Sequence, residues 1–285
     1  MGDKVSISKD ALYGGVIAVL VILFAASVLT GGFGLVNACP PQAECPAAEP
    51  SQPSQPAQPA QPAETEEPAA EALGTLTIDV GEGRVMGDEN APVSLVHFSE
   101  FPCPYCQRFY LQTEGQLETN YVDTGKLKFY FRDFIVHPDY AIPAAQASRC
   151  AEEQGMFWEM HSELFDNRDT WLSLSNFTPA FIEYATDAGL DNESFADCLS
   201  NSTAYVEEIA ADMNEGRGYG VQGTPSSFII ISKSDVDEAS IMAAVDDVNA
   251  QYGGITLFEN DNEYIVMVPG AYPYDVFSTI IDTVE

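Results

Sequence analysis

Two cysteines, Cys103 and Cys106, have the spacing of a redox-active dithiol in the segment Cys103-Pro104-Tyr105-Cys106. Cysteines separated by two residues at the start of a helix can form and break a disulfide reversibly. The first sulfur then lies at the positive end of the helix, where free backbone N–H groups favour the thiolate over the thiol. The sequence therefore predicts thiol–disulfide exchange, with Cys103 as the nucleophile and Cys106, one turn further along, as the resolving cysteine.

The elements on either side of this pair are predicted from their hydrophobic patterns. Residues 92–98 form an apolar run that predicts a buried strand, and a helical pattern follows from 105 to about 121. Pro104 suits the first helical position, because its missing N–H would have no partner there. Residues 126–135 predict a second strand, and the order strand, helix, strand predicts parallel pairing. Cys103 should therefore lie where the first strand ends and the helix begins.

An inert structural bridge and a zinc site are the other interpretations of this pair. A tetrahedral zinc site needs two further ligands, and the chain has no second Cys-x-x-Cys motif and only three histidines. His97 lies on the apolar strand and His161 on a helical face, so both are expected to be core or boundary residues with satisfied nitrogens. No metal and no cofactor are expected beyond the Cys103–Cys106 disulfide itself.

The rest of the domain is predicted to be mixed α/β. From 141 to about 215 the pattern is helical with three interruptions, at Gly155, at 167–175 and at 189–192. This predicts four or five short helices in an all-helical insertion at about 139–217. Residues 227–232 and 264–268 predict two further strands, and 274–284 predict a terminal helix. The segment 233–262 contains one helix-like stretch and has no role that its sequence indicates.

Cys150 and Cys198 both fall in the helical insertion. Outside the cytoplasm such a pair tends to be oxidised, so a structural disulfide between them is the favoured interpretation, with a second redox-active pair as the alternative. The remaining cysteines, Cys39 and Cys45, could pair with each other or with another chain.

Four motifs together resemble the DsbA-type disulfide oxidoreductases, in particular the membrane-anchored members of bacteria and archaea. They are FSEFPCPYC at 98–106, CAEEQGMFWEMHSELF at 150–165, GVQGTPSSF at 220–228 and PGAYPYDVF at 269–277. The resemblance covers about residues 76–285 and implies an α/β thioredoxin fold with an inserted all-helical subdomain. It also implies that Thr224 and a cis-Pro225 form a loop beside Cys103.

The same resemblance implies a function, namely the introduction of disulfides into exported proteins that carry free thiols. It further implies a membrane thiol oxidase as the partner for reoxidation. A reductase or isomerase on the same fold is the alternative, because the Pro104-Tyr105 dipeptide does not fix the reduction potential. A non-enzymatic binding or holdase module is a third. Glu100 either moves protons to or from Cys106 or, partly exposed, tunes the local field.

The N-terminal part is predicted to anchor the domain in a membrane. Residues 11–38 are apolar and carry no charge, and this segment is long enough for a transmembrane helix. A cleaved signal peptide is the alternative interpretation. Lys4 and Lys9 precede this segment and the next basic residue is Arg84, so residues 1–10 should be cytoplasmic and the catalytic domain extracytoplasmic. Residues 39–73 are rich in Pro, Ala, Gln and Glu and predict a solvated linker. The domain proper would then be 74–285.

The charge of the chain restricts its partners. It has 44 acidic and 11 basic residues in 285, for a formal net charge of -33. Such a surface repels DNA and RNA, so nucleic-acid binding is excluded. Self-repulsion of this size is relieved when salt screens it, which favours a halophilic host with an acidic proteome. The alternative is an acidic face for a basic partner, but the acidic residues are spread along the whole domain.

Overall fold

The computed structural model describes residues 73–81, 83–201 and 203–284. The predicted cytoplasmic segment, the anchor at 11–38, the linker as far as residue 72, and both Cys39 and Cys45 lie outside the described residues. Within the described ranges, no helix combines the length and the apolar content that crossing a bilayer requires.

A seven-stranded mixed sheet lies at the centre of the domain. Its strands are β1 (Gly74–Thr75), β2 (Val85–Met86), β3 (Val93–Ser99), β4 (Leu127–Asp133), β5 (Ser226–Ser232), β6 (Thr256–Glu259) and β7 (Glu263–Pro269). Their order across the sheet is β1-β6-β7-β5-β3-β4-β2. The central pair β3 and β4 is parallel, which confirms the prediction, while β5 runs antiparallel to both β3 and β7.

The helices account for most of the remaining chain. They are α1 (Pro104–Phe109), α2 (Gly115–Leu117), α3 (Pro138–Glu152), α4 (Phe157–Asp166), α5 (Arg168–Leu172), α6 (Thr178–Asp187), α7 (Asn192–Ser200), α8 (Val206–Gly218), α9 (Glu238–Gln251) and α10 (Tyr274–Ile281). Two π-helical segments, Tyr110–Glu114 and Glu118–Val122, lie on either side of α2. The chain is therefore helical without interruption from Pro104 to Val122.

The strand β3 is buried along nearly its whole length, because helices cover both faces of the sheet. All of its residues are buried except Ser94, which is half-buried. On one face Leu95 packs with Phe109 and with α10, and on the other Val96 and Phe98 pack with Phe228. A strand covered on both faces needs the continuous apolar sequence that this one has. The end of β3 is thus held rigidly, and the two cysteines follow it directly.

The insertion between β4 and β5 contains six helices, α3 to α8, and not the four or five that the sequence predicts. The additional helix is α5, which lies inside the predicted break at 167–175. It is only five residues long, but Trp171 is fully buried in it and donates a hydrogen bond from its indole N–H to the Leu164 carbonyl. One tryptophan thus anchors a helix too short to show a periodic pattern.

Cys150 of α3 is joined to Cys198 of α7 by a disulfide.

The segment 233–262, to which the sequence assigns no role, extends the sheet and its cover. Its helix α9 buries Ile241 and Val248 in the same core as β3. Its strand β6 pairs antiparallel with β7 and parallel with β1. The segment is therefore an integral part of the domain.

A buried ion network joins the insertion to the sheet. The Arg149 guanidinium of α3 donates to Asp133 Oδ2 of β4 at 2.7 Å and to Asp212 Oδ2 of α8 at 2.8 Å. Arg84 also donates to Asp212 Oδ2, at 2.8 Å. Burial and the nearby Asp133 carboxylate raise the pKa of Asp212, although Arg84 and Arg149 act in the opposite direction. Removing either partner of such a pair leaves a buried charge unpaired.

Candidate active site

Cys103 is the N-cap residue of α1, as the position of Pro104 predicts. Its backbone is extended (φ -71°, ψ 124°), and its carbonyl accepts the first helical hydrogen bond, from Gln107 N at 3.1 Å. Only 4% of Cys103 and 1% of Cys106 is exposed, and neither sulfur is in a disulfide. The structure therefore shows a reduced dithiol at a helix N-terminus, with the first cysteine the more accessible.

The two thiols have pKa values shifted in opposite directions. A hydrogen bond from Cys106 lowers the pKa of Cys103 to about 6; burial opposes this shift, and Thr224 and the N–H groups of Cys106 and Tyr105 add to it. Burial raises the pKa of Cys106, and the neighbouring Cys103 raises it further. At neutral pH Cys103 is a thiolate and Cys106 is a thiol, which is the division of roles between a nucleophile and a resolving residue.

The loop with Thr224 and Pro225 faces the nucleophile. The Cys103 thiol lies 3.5 Å from the Thr224 carbonyl oxygen, to which it donates a hydrogen bond when protonated. The peptide bond between Thr224 and Pro225 is cis. The structure therefore places these two residues beside Cys103, where the family resemblance puts them.

Glu100 is fully buried, which corrects the expectation that it is partly exposed. Its carboxylate accepts hydrogen bonds from Val136 N at 2.7 Å, from His137 N at 3.0 Å and from the His137 ring. The side chain therefore fixes the turn between β4 and α3. The backbone N–H of Glu100, by contrast, is directed at Cys106. It favours the thiolate form of Cys106 and so lowers the pKa of that thiol. The suggested proton transfer by the carboxylate stays a prediction.

Three residues near the dithiol escape prediction from the sequence. The buried Ser99 hydroxyl favours the thiolate of Cys106 and so lowers its pKa, against the larger effect of burial. Arg168 of α5 donates from its Nε to the Pro102 carbonyl at 2.8 Å, directly before the nucleophile. Gln107 of α1 donates to the Phe165 carbonyl at 2.9 Å. The last two contacts attach the insertion to the active-site turn, and no sequence motif marks them.

A groove of about 380 Å³ lies beside Pro225. Its opposite wall is the segment 270–273, part of the fourth motif of the sequence, and Arg108 donates to the Ala271 carbonyl at 3.1 Å. Tyr105 also lines the groove, is 57% exposed and lies under the Arg108 guanidinium, 5.1 Å from ring centroid to Cζ. The groove therefore lies between Tyr105 of the cysteine motif and the loop that contains Pro225.

The lowered pKa of Cys103 leads to a prediction about its reactivity. The rate of alkylation by iodoacetamide should follow a single titration with a midpoint near pH 6, because only the thiolate reacts. At pH 7 about 90% of Cys103 should be ionised. Mass spectrometry of the full reduced chain after short exposures would measure this. A midpoint near the ordinary cysteine value of 9.0 would contradict the proposed electrostatics.

The amino-acid sequence of the chain matches the model of a known protein family. The family is described as thioredoxin, and the match extends over residues 79–247, more than half of the chain. The chain belongs to the thioredoxin family. The family match and the strand order confirm the expected mixed α/β thioredoxin-like fold with a helical insertion.

Related proteins fall into two groups. The Na+/H+ antiporter NhaA 3 of Salinispora tropica is 33% identical over 156 residues, which are 53% of this chain and 22% of that protein. The disulfide bond formation protein D of Bacillus subtilis is 26% identical over 170 residues, which are 54% of this chain and 72% of that protein. The chain therefore spans less than a quarter of the first protein and nearly three quarters of the second.

A solved structure has the same fold. Wolbachia pipientis α-DsbA1 superimposes with a TM-score of 0.55 over 73% of this chain and 92% of that chain, at 22% sequence identity. At this level of identity the likeness concerns the fold. The superposition includes nearly the full length of α-DsbA1.

Proposed function

We propose that this chain is a membrane-anchored, extracytoplasmic thiol–disulfide oxidoreductase that forms disulfide bonds in exported proteins. The observation that carries the proposal is the Cys103–Cys106 pair, with one thiol of lowered and one of raised pKa, at the N-terminus of a helix and opposite Pro225. The relatives named for disulfide bond formation support the same activity.

The reaction follows from the positions of the two sulfurs. A client thiolate attacks Cys103 Sγ in the oxidised enzyme, the Cys103–Cys106 bond breaks, and Cys106 leaves as a thiolate that takes up a proton. A second client thiolate then attacks the client sulfur of the mixed disulfide, and Cys103 leaves as a thiolate. Two electrons pass from the client to the enzyme, and a membrane thiol oxidase must later remove them.

The direction of the reaction depends on which form of the enzyme is the more stable. Hydrogen bonds to the Cys103 thiolate exist only in the reduced enzyme, so they stabilise that form relative to the disulfide. A stabilised reduced form means a higher reduction potential and a stronger oxidant. The pKa of Cys103 therefore favours disulfide formation over reduction.

The reduction potential of the pair tests this direction. Equilibration of the full chain, in detergent and high salt, with glutathione buffers should give a value well above about -200 mV. A value near the roughly -270 mV of thioredoxin would assign a reductase instead. Absence of any redox equilibrium would leave a binding or holdase module with Cys103–Cys106 as a structural bridge.

The location of the domain is part of the proposal and rests on the sequence. The apolar segment 11–38, with Lys4 and Lys9 before it, supports a single span with the catalytic domain outside. A maleimide that cannot cross membranes should label the reduced domain in intact cells as fully as in lysed cells. Labelling only after lysis would place the domain inside the cell and overturn this orientation.

The net charge of -33 supports a further part of the proposal, that the enzyme works at high salt in a halophilic host. Near 1 M salt the screening length falls to about 3 Å, so the repulsion between neighbouring carboxylates becomes small. The many acidic residues then keep the domain soluble without destabilising it.

A further inference from the structure

A second cavity, of about 300 Å³, lies between the helical turns that follow α1 and the helix α4. Tyr110 and Glu114 line it from the first π-helical segment, and Trp158 and His161 line it from α4. It shares no lining residue with the groove beside Pro225. Short π-helical segments in longer helices frequently occur at functional sites.

One ring nitrogen of His161, Nε2, lacks a hydrogen-bond partner in this cavity. The residue is 1% exposed, and its Nε2 has no partner among the residues that the structure describes, which corrects the expectation of a satisfied histidine. Nε2 is directed at Glu114 Oε1, but the distance of 3.6 Å is too long for a hydrogen bond. A buried polar atom without a partner is costly, so a missing ligand is a physical explanation for it.

The charge of the cavity restricts what that ligand can be. Glu114 is buried, and Glu118 and Asp166 also line the cavity, while its lining includes no lysine and no arginine. An anion is therefore excluded. A metal ion is disfavoured as well, because within the described ranges no group of three or more His, Cys, Asp or Glu residues is arranged to hold one.

An organic cation satisfies both the charge and the shape. The rings of Tyr110 and Trp158 meet the His161 ring edge-on, with centroids 5.6 Å and 5.2 Å away, and aromatic faces attract cations. The volume of the cavity corresponds to roughly ten water molecules. A cavity of this size admits a short alkyl chain but not a folded segment of polypeptide. The two polar atoms that face each other, Glu114 Oε1 and His161 Nε2, both accept hydrogen bonds when the imidazole carries its proton on Nδ1.

We propose that this cavity binds a primary alkylammonium group, which donates hydrogen bonds to Glu114 and to His161 Nε2 while its alkyl chain lies against Tyr110 and Trp158. A primary ammonium has three N–H donors and so fits two acceptors at once. A quaternary ammonium has the charge but no donor. The group can belong to a free amine or to a lysine side chain of another protein.

Binding should be linked to the release of a proton. Burial, with repulsion from Glu118, raises the pKa of Glu114 to about 8, so the empty site holds a neutral carboxyl at pH 7. Burial lowers the pKa of His161 to about 3 and raises that of Tyr110 to about 12, so neither changes charge near neutrality. Glu118 and Asp166 complete the charged groups that line the cavity. The cation must ionise Glu114 in order to pair with it.

Calorimetric titration of the full chain with n-butylammonium, in detergent, tests the site. Because Glu114 must lose its proton, the affinity should rise about 50-fold between pH 6 and pH 8. Glu114→Gln should weaken binding by at least about tenfold and abolish the pH dependence, because the buried charge pair is lost. Glu159→Gln, a matched change at an exposed position of α4, should alter neither the affinity nor its pH dependence. No binding by the native chain, or equal binding by Glu114→Gln, would overturn the proposal.

Three further titrations examine the chemistry and the source of the ligand. Tetramethylammonium and n-butanol, which lack the donors or the charge, should each bind at least about tenfold more weakly than n-butylammonium. Equal affinity for either would overturn the paired hydrogen bonds. N-acetyl-lysine amide then separates the two sources: affinity equal to that of n-butylammonium supports a lysine side chain, and exclusion supports a free amine.

Discussion

Replacement of Cys103 by alanine is expected to reduce the oxidation of a reduced two-cysteine client to the uncatalysed rate, a loss of at least about a thousandfold. Without this sulfur there is no atom for the client thiolate to attack, since Cys106 is buried behind it. The rate would be measured by titrating free client thiols over time, with the full chain in high salt. Retention of more than a tenth of the native rate would contradict the assignment of Cys103.

The matched control is Cys106→Ala, which keeps the nucleophile and removes the resolving residue. Its Cys103 should form a mixed disulfide with an activated client and release it slowly, so a covalent adduct should be visible by mass spectrometry. Cys103→Ala should form no such adduct. Because both cysteines pack in the same apolar cluster, equal melting temperatures of the two variants would show that the difference is chemical.

Replacement of Arg149 by methionine is expected to lower the free energy of unfolding by about 3–5 kcal/mol. The guanidinium is 1% exposed and donates to both Asp133 and Asp212. Its loss leaves the Asp133 carboxylate buried without its cation, while Asp212 keeps Arg84. Methionine has a similar length, and the effect would therefore come from charge more than from volume. Urea unfolding of the full chain, followed by the fluorescence of Trp158 and Trp171, would measure it.

The control for this variant is Glu208→Gln. Glu208 also contacts Arg149, at 3.1 Å, but its side chain is 62% exposed. An exposed ion pair contributes between zero and about 1 kcal/mol, so this substitution should cost less than that. If Arg149→Met cost as little as Glu208→Gln, the buried network would not be what joins the insertion to the sheet.

The parts of the site that the sequence predicts are those fixed by local physics. The apolar run of β3 and the proline at 104 are sufficient to place Cys103 at a helix N-terminus, because a buried strand and a helix start each have local signals. The parallel pairing of β3 with β4 follows from the helix between them. Motif resemblance then places Pro225 near the nucleophile, which no local pattern could do.

The parts that were not predicted depend on contacts distant in sequence. Glu100 and His137 are 37 residues apart, and Arg149 and Asp212 are 63 apart, so nothing in either neighbourhood indicates that they meet. The strands β1 and β2 have two residues each, too few for an alternating pattern to be recognised. The unpartnered nitrogen of His161 is likewise visible only when all of its neighbours are in place.

The two outermost strands of the sheet have a consequence for how the domain handles its clients. In the described part of the chain, β1 and β2 form the two edges and each offers only two residues of backbone. A long open edge would act as a template on which unfolded, extended chains could add further strands and aggregate. In the function proposed above, edges this short would protect the protein from co-aggregating with the non-native polypeptides that it meets at its cysteines. Extended clients would be held through side chains and one transient sulfur bond, from which they can be released to fold.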